Sequence, residues 1–336
     1  MEQRRLGNSG LYVSSLSLGS MIFGEPGSRG TPKEEALKMI SAYIDAGGNH
    51  LDTANVYAGG QSEEILGQAL KNGNRNKVTL ATKVRFGASI EQHQSSGLGK
   101  KFIIDQLEQS LRRLNTDVID LYYMHGWDPQ CPIEESLQAF DDLVRKGKVR
   151  YIGVSNFKAW QIMLSQGISQ THGWVKFIAG QYQYSLVVRD IEYEFTSLFQ
   201  NQGIGCMAWG PLGGGFLSGK YGKEHEPKEG RIAKSDPGVE EAWERRATQR
   251  NWQILSQVVE IAESHGATIP QIALAWLLAQ PMVSSVLLGA RTLNQLEDNL
   301  KAAEITLTNQ ELEALTKVSA LPELYPYRMI QAYGME

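Results

Sequence analysis

NHLDTANVY, residues 49–57, reads as a short strand that ends in an acid, Asp52, and turns at once toward a tyrosine, Tyr57. An apolar strand that ends in a carboxylate needs a cation to meet it. KVTLATKV (77–84) has the same shape with Lys83 near its end, and DVIDLYYMH (117–125) finishes on His125. Several of the strand candidates are nearly continuous in apolar residues, as parallel strands covered on two faces are. Outward from these three, the shape recurs in VSSLSLGSM (13–21), VRYIGVSN (149–156), KFIAGQYQ (176–183), GIGCMAWG (203–210) and SSVLLGA (284–290).

Helical patterns fill the intervals. Phe102, Ile103, Leu107, Leu111 and Leu114 form one stripe at helical spacing, and Ile133, Leu137, Phe140 and Val144 another. Thr31-Pro32-Lys33-Glu34 predicts a capping box with proline at the first helical position, and Gly47 follows that helix. Thr292 to Gln295 and Thr308 to Glu311 predict two more boxes. Eight strands alternating with helices fit an open doubly wound sheet or a closed barrel. Either architecture binds ligands beyond the carboxyl ends of its strands. Those ends carry Asp52 followed by Tyr57, then Lys83, His125, Ser155-Asn156, Gln181 and Trp209.

Bulk properties narrow the function. The 336 residues are 42% hydrophobic and 21% charged, and no composition step marks a boundary, so one domain over 1–336 is expected. A net charge of -4 does not favour nucleic acid. No window reaches the roughly 18 apolar residues of a membrane span, and MEQRRLGNSGLYV lacks a signal peptide's apolar core. Cys131 and Cys206 stand far apart, which suits a reducing cytosol, so a cytoplasmic protein is expected. Six scattered histidines and no CxxC argue against a metal site. The irregular run YGKEHEPKEGRIAKSDPG (221–238) is expected to form a lid.

The chemistry of four rim residues follows from their types. A phenol titrates near 10, too high for a good proton donor at neutral pH, and an adjacent ammonium favours its phenolate. Asp52 would balance the charge of Lys83, and a neutral His125 would orient a carbonyl oxygen. Such a unit needs no metal or nucleophile and fits protonation of an alkoxide formed by hydride transfer. Each residue alone also has a plain structural reading: a buried ion pair, a core histidine, a loop tyrosine.

LDTANVY, ATK and MHGWD resemble the active-site segments of the aldo-keto reductase superfamily, and GKVRYIGVSN, AWGPLGGGFLSGKY and LLGARTLNQLEDNL match in order and spacing. The nearest pattern is the bacterial branch similar to potassium-channel β subunits. The resemblance implies a (β/α)8 TIM barrel with an N-terminal β-hairpin from residues 1–13 and a C-terminal substrate-shaping loop. It assigns Asp52, Tyr57, Lys83 and His125 as the catalytic tetrad. It implies NADPH or NADP+, with Ser155, Asn156 and Gln181 on the nicotinamide carboxamide and Trp209 stacked on its ring. Asp52, Gly210, Pro211, Leu212, Gly214, Lys220 and Arg231 would also serve the cofactor. Around the adenosine 2′-phosphate it sets Gly289, Arg291, Gln295, Asp298 and Asn299, and Arg291 favours NADPH over NADH.

Trp209 stands where many relatives carry tyrosine, and Gly210 where serine is common. Gly214 to Lys220 has phosphate-loop spacing, but Tyr221 follows instead of a serine or threonine, which excludes a nucleotide triphosphatase. Ser155 and Asn156 also read as simple helix caps, and Trp209 as core. Met21, Ile22, Phe23, Phe86 and Trp127 are expected to make an apolar wall for a carbonyl or alcohol substrate, joined by Tyr57, His125, Trp243 and the tail LPELYPYRMIQAYGME. Homo-oligomerisation is left open. Two rival readings are a cofactor-holding sensor or assembly subunit with slow chemistry, and a lyase or isomerase using Lys83 as a Schiff base.

Overall fold

The computed structural model describes residues 1–27, 30–71, 73–87, 96–223, 227, 232 and 242–334. Strands β1 (Gln3–Arg5) and β2 (Tyr12–Ser14) pair antiparallel as a hairpin. The next eight are β3 (Leu16–Gly19), β4 (His50–Asp52), β5 (Thr79–Val84), β6 (Ile119–Met124), β7 (Val149–Ser155), β8 (Phe177–Gln183), β9 (Gly205–Trp209) and β10 (Val283–Leu288). Each pairs in parallel with its neighbour in chain order, and β10 closes against β3. The closed barrel and its hairpin are those implied by the resemblance, and all eight expected strand runs become its staves.

One run divides. The stretch 13–21 holds the end of the hairpin, the bend at Ser15 and then β3. Ser15 donates its amide to Glu2 and gives its carbonyl to Val286, so one residue hands the chain from hairpin to barrel. Val13 therefore faces the barrel interior with Leu6, where both are fully buried beside Ala81, Leu121, Tyr123, Ala179, Met207 and Leu287. The hairpin turn lies against the strand starts, with Asn8 donating its amide to the Gly203 carbonyl just before β9. The hairpin thus stoppers the amino-terminal end of the barrel.

Outward-facing residues such as Leu51, Leu80, Tyr122 and Ile152 pack under the helices. The helix Lys100–Leu114 buries its whole predicted stripe, and Ile133–Arg145 buries Ile133, Leu137 and Phe140 with Val144 half-covered. The Thr308 capping box forms in full; Thr292 accepts from Gln295, but the Gln295 side chain turns to the Arg291 amide. The Thr31 box does not form. Pro32 is the residue before the helix Lys33–Asp45, and Thr31 is buried with its hydroxyl on the Arg291 carbonyl. Gly47, at φ 82, follows that helix as expected.

Because the eight staves are parallel, their carboxyl ends form one rim, which gathers Asp52, Lys83, His125, Ser155, Gln181 and Trp209. Most of 221–238 lies outside the described residues, so the expected lid does too. The tail folds its short helix Tyr327–Ala332 onto the segment after β8, where Tyr193 and Tyr327 stack at 5.3 Å and Tyr193 donates to the Pro322 carbonyl.

Candidate active site

The rim is organised by an ammonium. Lys83 is fully buried and donates to Asp52 Oδ1 at 2.5 Å, to the Thr53 carbonyl at 2.8 Å and to the Tyr57 hydroxyl at 3.3 Å. A lysine has three N–H donors, and all three are used. Burial would pull this ammonium down, but Asp52 and then Tyr57 outweigh it and hold Lys83 above the ordinary lysine range. Asp52 is equally committed, since Gln181 Nε2 donates to its other oxygen at 2.8 Å. Asp52 on β4 and Gln181 on β8 lie on opposite sides of the barrel, so this bond spans its interior. The pair is neutral as a unit and saturated with hydrogen bonds, the condition for keeping two charges out of water.

Tyr57 begins the turn after β4, and its ring meets His125 edge-on with centroids 5.8 Å apart. His125 is held well below the ordinary histidine range, first by burial and then by the Lys83 ammonium. It is therefore a neutral imidazole at physiological pH. Phe86 also meets the His125 ring edge-on at 5.1 Å and is 42% exposed, so an aromatic face opens beside the tetrad. The four expected catalytic residues are brought together.

The surrounding expectations resolve unevenly. Ser155 is buried and donates to the Gln181 carbonyl; Asn156, at φ 58, donates to the His125 carbonyl and to Ser155 Oγ. Neither caps the following helix, whose cap is Lys158 with Gln161. Trp209 is half-buried at the end of β9, packed against the barrel-interior cluster. Met21 and Ile22 are half-covered, but Phe23 is fully buried in the core against Thr31 and offers no face to a ligand. The turn after β3 folds back on itself and takes Phe23 inward. Trp127 packs on Phe157 at 5.1 Å and on Trp160 at 5.8 Å, and Trp243 joins Tyr221 and Trp252. The carbonyl of Thr53, which completes the shell of Lys83, had no signal in the sequence because a backbone acceptor has none.

Past β9 the chain forms a glycine-rich turn. Gly210 lies at φ 62 and Gly213, Gly214 and Gly215 at φ 57, 70 and 92, a left-handed run that side chains rarely adopt. Pro211 is buried and Leu212 half-covered between them. A Cβ on Gly215 would lie 3.4 Å from Lys220 Nζ and 3.8 Å from the Tyr221 hydroxyl. That hydroxyl is buried without a hydrogen-bond partner among the described residues. Lys220 is held below its ordinary range, first by partial burial and then by Arg291, so two cations converge here. Gln295 Oε1 accepts from the Arg291 amide and Gly289 stands open beside it. Asn299 is buried, and the Asp298 carboxylate is held by Thr268 and Gln271 at the start of the helix Ile269–Leu278. Arg231 lies outside the described residues.

Comparison with known proteins agrees with this architecture. The family model described as "Aldo/keto reductase family" matches residues 15–320. The chain is 35% identical to "Uncharacterized oxidoreductase YrpG" of Bacillus subtilis over 97% of this chain and all of that one. It is 31% identical to "Versiconal hemiacetal acetate reductase" of Aspergillus parasiticus over 97% and 99% of the two chains. It is 35% identical to "Probable voltage-gated potassium channel subunit beta" of Arabidopsis thaliana over 91% and 92%. The chain belongs to the aldo/keto reductase family, a family of oxidoreductases.

Proposed function

We propose that this protein is an NADPH-dependent oxidoreductase that converts aldehydes or ketones to alcohols, or the reverse, with Tyr57 as the general acid. The observation that carries the reading is the buried Lys83 ammonium, 2.5 Å from Asp52 and 3.3 Å from the Tyr57 hydroxyl. In reduction, Tyr57 gives its proton to the substrate oxygen, and Lys83 stabilises the phenolate left behind. Because the phenol oxygen already accepts from Lys83, its own hydrogen is directed away from the ion pair. Neutral His125 donates a hydrogen bond to the same substrate oxygen and orients it. Asp52 keeps Lys83 charged, and Gln181 keeps Asp52 oriented. When bound, the nicotinamide supplies the hydride that the carbonyl carbon receives.

The residues fit such a cofactor. Ser155 and Asn156 present polar groups beside His125, and Trp209 offers a ring face. The glycine turn 213–215 allows close backbone approach to a pyrophosphate with Lys220 as its cation. Arg291, at the start of the helix Leu293–Leu300, suits a 2′-phosphate and favours NADPH. Phe86 and Trp127 make the substrate wall with Met21, and the Tyr327–Ala332 tail shapes its outer side. We read the whole chain as one such unit, located in the cytosol, where two free cysteines suit the redox poise.

Tyr57→Phe tests the assignment. It should lower carbonyl reduction by about 10²- to 10⁴-fold while reduced-cofactor binding, NADPH tighter than NADH, persists. Normal turnover in that variant would refute it. Similarity to a channel β subunit favours one second reading, a cofactor-holding sensor with slow chemistry. Stopped-flow oxidation of bound NADPH by aryl aldehydes separates the two, since a sensor reacts more slowly than it exchanges cofactor.

A further inference from the structure

The turn that carries Tyr57 is gripped from outside the barrel by a buried charge that the tetrad does not include. Glu63 lies in the first turn of the helix Gln61–Ala69 and is fully buried. Its Oε1 accepts from Thr82 Oγ1 at 2.7 Å and its Oε2 from Arg113 Nε at 2.6 Å. Thr82 precedes Lys83 on β5, and strand alternation points Thr82 toward the helices while Lys83 points inward. Arg113 also reaches the end of the Tyr57 turn, where a Cβ on Gly60 would lie 3.0 Å from its Cδ.

That turn has only a few backbone bonds of its own, Tyr57 donating its amide to the Ala54 carbonyl and Gly59 to the Val56 carbonyl, and Asn55 donates its amide to the Lys83 carbonyl. Ala58, Gly59 and Gly60 lie in sequence at φ 48, 64 and 99, a left-handed run with no local preference behind it for alanine. Its two ends are fixed as well by side-chain contacts. One end is Asp52 and Thr53, bound to Lys83. The other is Ser62 and Glu63: Ser62 is buried and bonded to Ser20 and Thr53, and Glu63 is tied to the residue beside Lys83. A buried ion pair is a weak source of stability compared with an apolar seam, but it fixes geometry.

We propose that Glu63 is a positioning residue for proton transfer, clamping the Tyr57 turn to β5 through Thr82 and Arg113 so that the phenol oxygen stays against the Lys83 ammonium. This rests on the reading of Tyr57 as the proton donor. With the clamp loosened, the phenol drifts from the ammonium and becomes a weaker acid, while the cofactor and substrate walls stay in place.

The test uses Thr82→Val, Thr82→Ser, Glu63→Gln and Tyr57→Phe in the full-length protein, assayed with NADPH and an aryl aldehyde. Thr82→Val removes one bond at nearly constant volume. It should lower kcat by about 10- to 100-fold, as a misplacement near 1 Å does, with KM and NADPH binding unchanged. The descending limb of the kcat–pH profile should move to higher pH. Thr82→Ser, which keeps the hydroxyl, should restore both, and Glu63→Gln should behave as Thr82→Val. Wild-type kcat and pH profile in Thr82→Val and Glu63→Gln, with only the melting temperature lowered, overturn the proposal. If Tyr57→Phe itself turns over normally, the reading of Tyr57 falls instead.

Discussion

The two ends of the barrel interior are built from different materials. At the amino-terminal end the hairpin presses Leu6 and Val13 inward, and Gly7 sits so close to the Gly203 and Ile178 carbonyls that no side chain fits. At the carboxyl-terminal end the interior holds Asp52, Lys83 and Gln181, each polar contact satisfied by another. One end is sealed by shape and the other by charge. Stability and chemistry are therefore separable along one axis, the division expected of this architecture.

The largest blow to that division should come from Asp52→Ala. It leaves a fully buried ammonium without its counter-charge, a loss of about 3–5 kcal/mol, and it should abolish carbonyl reduction as well. Urea denaturation with a parallel turnover assay measures both, and retained stability would show that the pair is not what seals the rim.

His50 sharpens the boundary between the two ends. It lies two residues before Asp52 on the same inward face, fully buried, with neither ring nitrogen bonded among the described residues. Burial first, with a smaller push from Lys83, brings it from 6.5 down to about 4. A depressed folded-state value means the unfolded chain takes up the proton more readily. The neutral ring's contribution is then complete above its ordinary 6.5 and is lost as the pH falls toward 4. The full span is about 3 kcal/mol. His50→Leu should flatten the acid limb of unfolding free energy across that window, leaving the slope due to His125. An unchanged limb would exclude His50 as its source.

The smallest of these effects belongs to the packed end. Gly7→Ala places a Cβ 2.3 Å from the Gly203 carbonyl, at φ 55, and should cost about 1–3 kcal/mol with kcat unchanged. A fall in kcat beyond the fall in folded fraction would mean that the two ends are coupled.

How much of this was legible in the sequence depended on the range of each contact. Apolar runs that stop at Asp52, Lys83 and His125 marked both the strands and the rim, because a charge at the end of a buried strand has few explanations. Tyr57 was different, since its place in a loop carries no periodic signal; it drew notice only by following Asp52 closely, and the resemblance then placed it in the tetrad. Local rules misled where tertiary contacts overrode them. Thr31 had a capping pattern, yet its hydroxyl serves Arg291, 260 positions away. Phe23 followed a strand like a wall residue, yet the turn buries it. The Gln181–Asp52 bond, 129 residues apart in sequence, and the Asp298 bonds to Thr268 and Gln271 lay beyond any local pattern.

The three-way grip on Lys83 has one more chemical meaning. An amine attacks a carbonyl carbon through its lone pair, and an ammonium with every hydrogen engaged has none to offer. Lysines on other scaffolds capture substrates as imines; the shell around this one works against that role. Borohydride added with an aldehyde should therefore leave the residue unmarked, and trapping of substrate on it would overturn the proton-transfer reading.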